Sequence, residues 1–266
     1  MRAIILFLVG LLWATARLLG AEELAGEPSG REIAMKVYMR EDGDDQVSKA
    51  VFTLINNKGQ KRVRETLRYW KDYDGKDGLS SKTFIYFSSP PDVKDTTFLN
   101  WSQKDPTADD DQWIYLPALR KVRRIAAGDK ENSFMGTDLI FDDLGDREVD
   151  EDEHKLIRVE HENGVKFYVV EAIPKKKDYI YSRKLSWVHA QHWTVPRIEF
   201  YDRKGQLLKI MQTEWMQVDG IWTWKRTVVE NQQNGHRTEI DISDVKINQG
   251  LDDSLFTERS LRSGAP

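Results

Sequence analysis

The chain has 266 residues, with 40 Lys and Arg against 44 Asp and Glu, and no cysteine. A slightly acidic balance excludes nucleic acid as a main partner. The missing thiol excludes disulfides, thiolate zinc sites, a cysteine nucleophile and a lipid-modified N-terminal cysteine.

Arg2, the apolar run Ala3 to Trp13 and the small residues up to Ala21 read as an export signal, with cleavage expected after Ala16 or Ala21. The run is short for a spanning helix. Removing residues 1–21 takes Arg2 and Arg17 from the 40 cations. The remaining 38 face 44 carboxylates, a net charge of −6. An exported protein without disulfides suits the bacterial periplasm. No linker rich in Pro, Gly or Ser divides the rest, so one domain is expected over residues 22–266.

Ser29 followed by Glu32 has the spacing of a capping box, and Ile33, Ala34, Val37 and Tyr38 then share a helical face. The helix is expected to end near the acidic run at 41–45. After that the apolar period changes to two. Strands are expected at 51–55, 61–70, 81–88, 95–102 and 112–116. More follow at 155–161, 165–172, 182–190, 196–202, 206–217, 221–230 and 236–247. Asn56 to Gln60, Glu162 to Gly164, Asp202 to Gln206, Val218 to Gly220 and Asn231 to Gly235 read as the turns between them. Leu251 to Phe256 can close as a helical turn.

So many successive strands with short links imply an antiparallel meander that curls into a barrel or a bent sheet. Along 61–70, Leu67 and Tyr69 take one face and Arg62, Arg64 and Arg68 the other. Along 206–217, Met211 and Trp215 share a face with Lys209 and Thr213. Eight tryptophans remain once Trp13 is removed with the signal. Bulky flat residues suit the wall of an apolar pocket; the alternative is a well-filled core with no cavity.

The segment Asp111 to Leu144 stands apart. An aromatic strand, Trp113 to Leu116, turns at Pro117 into Arg120, Lys121, Arg123 and Arg124. A stretch with Phe134, Met135, Leu139, Ile140 and Phe141 follows. A strand feeding a basic rim and then an apolar flap resembles the mouth of a container. The cations read either as a solvated turn or as a dock for an acidic partner or lipid headgroup.

Catalytic patterns are weak. No nucleophile elbow, phosphate loop, zinc-protease motif or dinucleotide glycine motif occurs. His189 and His192 fall on opposite faces of a strand, which argues against metal. Asp72 to Gly78 has the look of a calcium loop, but Thr83 stands where a bidentate Glu is needed. Asp109 to Asp111 and Asp142–Asp143 read as solvated acids. Neither an enzyme nor a cofactor is expected.

The runs WIYLPALRKVRRI at 113–125 and SFMGTDLIFDDL at 133–144 resemble the LolA-like outer-membrane lipoprotein-sorting proteins, in particular the branch found beside RND- and MMPL-type exporters. The resemblance implies a mainly β fold: an open, incomplete antiparallel barrel with covering helices on its concave side. It also implies an apolar cavity for acyl chains, and a monomeric periplasmic carrier working with such an exporter. A non-carrying accessory or sensor subunit of an exporter is the alternative. On this view Leu67, Tyr69, Phe84, Tyr86, Trp113, Tyr115, Phe134, Met135, Phe141, Met211 and Trp215 are expected to line the cavity. Arg120, Lys121, Arg123 and Arg124 are expected to meet the partner or headgroup.

Overall fold

The structure is a computed structural model. It describes residue 24 and residues 26–264, so the expected export signal lies outside the described residues. The capping box forms as read: Glu32 N–H donates to Ser29 Oγ, and Ser29 N–H donates to the Glu32 carboxylate at 2.7 Å. It starts helix α1, Gly30–Tyr38.

One antiparallel sheet of 13 strands follows, and it does not close on itself. The first six strands are β1 (Asp45–Ile55), β2 (Lys61–Asp72), β3 (Leu79–Ser89), β4 (Thr97–Gln103), β5 (Asp111–Leu116) and β6 (Lys121–Arg124). They walk from the middle of the sheet to one edge. A crossover, residues 125–151, then carries the chain to the opposite edge. From there β7 (Asp152–Glu162), β8 (Val165–Pro174), β9 (Tyr181–His189), β10 (Arg197–Asp202), β11 (Leu207–Val218), β12 (Ile221–Asn231) and β13 (Arg237–Ile247) walk back until β13 pairs with β1.

The links behave as their residues dictate. Asn163 and Gly164 both take positive φ, 50° and 81°, which a tight two-residue hairpin requires. Asp219 and Gly220 repeat this at 51° and 82°. Asp72 to Gly78 is the β2–β3 connection, where the Asp72 carboxylate accepts from Asp74 N–H. One strand escaped the sequence reading. Lys121–Arg124 pairs with β5, although it alternates charge with a single Val122 and so carries no apolar period.

Both faces of the β1–β6 part of the sheet are covered, and this decides where the site lies. On the convex face Leu67, Tyr69, Phe84, Tyr86, Leu99, Trp101, Trp113 and Tyr115 meet Leu251, Leu255, Phe256 and Leu261 of the C-terminal segment. That segment carries a 3-10 turn at Asp253–Phe256 and a one-turn helix α2, Ser260–Ser263. Trp101 Nε1 donates to the Phe256 carbonyl at 3.0 Å, and Thr97 Oγ1 donates to the Leu261 carbonyl at 2.7 Å.

On the concave face α1 lies over the β7–β9 wing through Ile33, against Leu156, Tyr168, Val170 and Val188. Gly30 lets the helix start close to the sheet: a Cβ there would sit 2.5 Å from the Lys155 backbone. The crossover covers the rest. Phe134, Met135, Phe141 and Leu144 pack on Ile85, Phe87 and Phe98 of one wing. Leu139 packs on Ala50, Phe52, Leu54 and Ile240 at the centre. Ile140 packs with Tyr181 and Phe200 of the other wing.

Candidate functional site

Between crossover, α1 and concave sheet a hollow remains. Its larger lobe has a volume of about 850 Å³ and a second lobe about 670 Å³; both are lined by Arg40, Asp42, Trp70, Lys184, Met211 and Trp215. The larger lobe is walled by Ala50, Phe52, Ile85, Leu139, Ile198, Phe200, Ile240 and Ile242, with Gln46, Ser48, Arg68 and Thr83 toward the other end of the strands. Four of the eight tryptophans of the mature chain, Trp70, Trp215, Trp222 and Trp224, line it. Trp224 is 45% exposed, which places it at an opening.

Anchors fix the crossover to both wings. Lys209, on β11, donates to Asp143 Oδ2 at 2.6 Å and to the Asp138 carbonyl at 2.9 Å. Its side chain is 3% exposed and that of Asp143 is 9%. Tyr181 donates to the same Asp143 carboxylate at 3.0 Å. Asp138 binds Thr238 Oγ1 at 2.7 Å and His236 Nδ1 at 2.6 Å. Arg147 makes a two-pronged pair with Asp152, at 2.8 and 2.6 Å, and its guanidinium lies 4.6 Å from the Tyr179 ring centre. Tyr179 in turn donates to Asp142. Asp142 and Asp143, read from sequence as solvated acids, are therefore structural anchors. Burial, reinforced by the neighbouring Asp142 and Asp143 carboxylates, pushes the Tyr179 hydroxyl well above its ordinary value, so it stays a donor.

A polar seam runs where the two wings approach. Glu148 of the crossover accepts from Tyr38 of α1 at 2.6 Å and from Ser80 of β3 at 2.5 Å. Lys104 donates to Tyr38 Oη at 2.7 Å. Lys176, from the β8–β9 link, pairs with Asp109, from the β4–β5 link, at 2.6 Å.

The expected lining residues divide three ways. Met211 and Trp215 line the hollow. Phe134, Met135 and Phe141 instead form an aromatic seam that fixes the crossover: the Phe134 ring centre lies 5.2 Å from Phe98, 5.9 Å from Phe87 and 5.5 Å from Phe141. Leu67, Tyr69, Phe84, Tyr86, Trp113 and Tyr115 lie on the convex face under the C-terminal segment, not in the hollow. The reason is the alternation of β2. Its apolar side packs beneath the tail, while its arginine side, including Arg68, faces inward, in register with Ser48 and Ile85. Reading apolar as inward is sound for a sheet with one cover and fails for a sheet with two.

Arg120, Lys121, Arg123 and Arg124 gather at the β5–β6 turn and edge strand. Arg123 pairs with Asp129 and Arg124 with Asp111, while Lys121 and the 63%-exposed Leu119 face solvent. His189 and His192 stack with ring centres 4.4 Å apart, and Gln191 N–H and His192 N–H both donate to His189 Nδ1. That contact caps a turn.

The sequence reading missed the charged lining: Arg40, Asp42, Arg68 and Lys184. Burial pushes the Asp42 carboxyl up to about 7, helped by the nearby Asp146 carboxylate. Burial also lowers the Arg68 guanidinium and the Lys184 ammonium from their ordinary values.

A family model described as an uncharacterized protein matches residues 80–263. A DUF1329 family protein from Desulfovibrio piger is 35% identical, with a TM-score of 0.83, over 87% of this chain and 97% of that one. A Vibrio parahaemolyticus protein described as an outer-membrane lipoprotein-sorting domain is 31% identical, with a TM-score of 0.82, over 88% of this chain and 98% of that one. A LolA superfamily protein from Nitrosomonas europaea shares the fold at 17% identity, with a TM-score of 0.69, over 88% and 99% of the two chains. No curated protein matches the sequence. With relatives above 30% identity across nearly all of its folded length, the chain belongs to the LolA-like family of outer-membrane lipoprotein-sorting proteins that also includes the DUF1329 protein.

Proposed function

We propose that this protein is a periplasmic carrier that takes the acyl chains of a lipid or lipoprotein into the hollow between its concave sheet and its crossover. The observation that carries the reading is the hollow itself: about 850 Å³, walled by Ala50, Phe52, Ile240, Ile242, Met211 and Trp215. That size lies within the roughly 300–1,000 Å³ of small-molecule sites. Each methylene moved from water to such a wall gains about 0.8 kcal/mol, so a sixteen-carbon chain gains on the order of 10 kcal/mol before ordering costs. The work is binding and release, with no bond made or broken.

The partner surface in this reading is the β5–β6 tip. Leu119 projects there beside Arg120 and Lys121, an exposed apolar residue flanked by cations, and its partner in this reading is an acidic patch on the periplasmic side of an inner-membrane RND- or MMPL-type exporter.

Protein exported to a bacterial periplasm and purified without detergent tests the carrier role. Organic extraction and mass spectrometry are expected to yield acyl lipid at near one molecule per chain. Lipid at background level, with the fold intact by circular dichroism, contradicts it.

A further inference from the structure

An acyl-chain container needs only apolar walls, yet this hollow holds two cations with no anionic partner among the described residues. Arg68 and Lys184 both line the larger lobe. Neither makes a side-chain hydrogen bond or an ion pair among the described residues. Arg147, in contrast, is held by Asp152 and Glu151, and Lys209 by Asp143. Lys184 stands within 5.5–5.9 Å of the ring centres of Tyr179, Tyr181 and Phe200, which softens its isolation without supplying an anion.

The carboxylates that face these groups are weak or occupied counterions. Arg68 faces Asp42 and Asp146. Asp42 has its carboxyl pushed up to about 7 by burial, and Asp146 already accepts from Ser81 Oγ. Lys184 faces Asp142, Asp143 and Asp152, which are bound to Tyr179, Lys209 and Arg147 respectively. A partly buried cation that lacks a hydrogen-bonded partner costs free energy in the empty protein. An anion entering the hollow relieves that cost.

We infer that the cargo is an acidic amphiphile, an acyl chain ending in a carboxylate or phosphate, and that its head is drawn into the hollow against Arg68 and Lys184 while its tail lies along Phe52, Ile240 and Met211. The inference rests on the carrier reading above and narrows its cargo. Charge-assisted hydrogen bonds formed away from bulk water supply the selectivity. A neutral ligand of the same length fills the same walls and leaves both cations unpartnered.

The test compares oleate with oleyl alcohol, followed by tryptophan fluorescence, on the full mature chain. The wild type is expected to bind oleate at least about tenfold more tightly, as one hydrogen-bonded charge contact provides. Arg68→Met and Lys184→Met are each expected to shrink that ratio, weakening oleate by more than oleyl alcohol. Thermal melting of both variants shows whether they fold. If one variant does not fold, the other carries the comparison, and the wild-type ratio stands alone if both fail. Equal wild-type affinities, or an unchanged ratio in a folded variant, overturn the acidic-head inference and leave the carrier role intact. Failure of the wild type to bind either ligand overturns both.

Discussion

Lys209→Met is expected to lower the unfolding free energy by about 3–5 kcal/mol, the range for breaking one side of a buried ion pair. The cause is the environment of Asp143. Its carboxylate sits under the crossover and takes Lys209 at 2.6 Å, Tyr181 at 3.0 Å and Ile140 N–H at 2.9 Å. Removing the ammonium leaves a buried carboxylate without its cation and frees the Asp138 carbonyl that Lys209 also binds. The loss falls on the link between crossover and β11, so the roof of the hollow loosens before the sheet does. Adding Asp143→Asn is expected to recover part of the loss, because the stranded charge disappears while Tyr181 keeps an acceptor. Guanidinium unfolding followed by circular dichroism measures both. A loss under about 1 kcal/mol in the single variant would show that this pair does not hold the crossover.

Phe256→Ala is expected to cost about 3–5 kcal/mol, the usual range for deleting a buried aromatic side chain. Phe256 is fully buried, and it joins the C-terminal segment to Tyr69, Phe84, Leu99 and Trp113 on the convex face. The same experiment separates the two covers of the sheet. Ligand affinity per folded molecule is expected to stay at the wild-type value, because the hollow lies on the opposite face. A folded Phe256→Ala protein whose affinity for acyl ligands falls in proportion to its stability would place the ligand beneath the tail instead.

Much of the architecture was legible because local chemistry and tertiary packing agree. Ser29 and Glu32 close the capping box, Asn163–Gly164 makes the hairpin, and period-two runs mark twelve of the strands. The open mainly β sheet and the LolA-like family follow from those runs together with the segments at 113–125 and 133–144. The site was only partly legible. Met211 and Trp215 lie in the wall of the hollow, whereas Leu67, Tyr69, Phe84, Tyr86, Trp113 and Tyr115, expected beside them, lie on the opposite face. Alternation tells which residues share a face and is silent on which cover that face meets. The tail Leu251 to Leu261 supplied the missing information: its four apolar residues needed a sheet face to bury them. The same alternation sets Arg62, Arg64 and Arg68 on the opposite face without saying what that face meets. An inward arginine shows no pattern of its own until the crossover is seen to roof it.

The central claim is that hydrocarbon binds in the hollow on the concave face. Quenching of tryptophan fluorescence by stearate brominated along its chain tests it most directly, since bromine quenches only on contact. Trp70, Trp215, Trp222 and Trp224 line the hollow, whereas Trp101 and Trp113 lie on the convex face. Saturable quenching is expected in the wild type, is expected to persist when Trp101 and Trp113 are replaced by Phe, and is expected to vanish when the four hollow tryptophans are replaced. Quenching that follows Trp101 and Trp113, or that never saturates, would contradict the account.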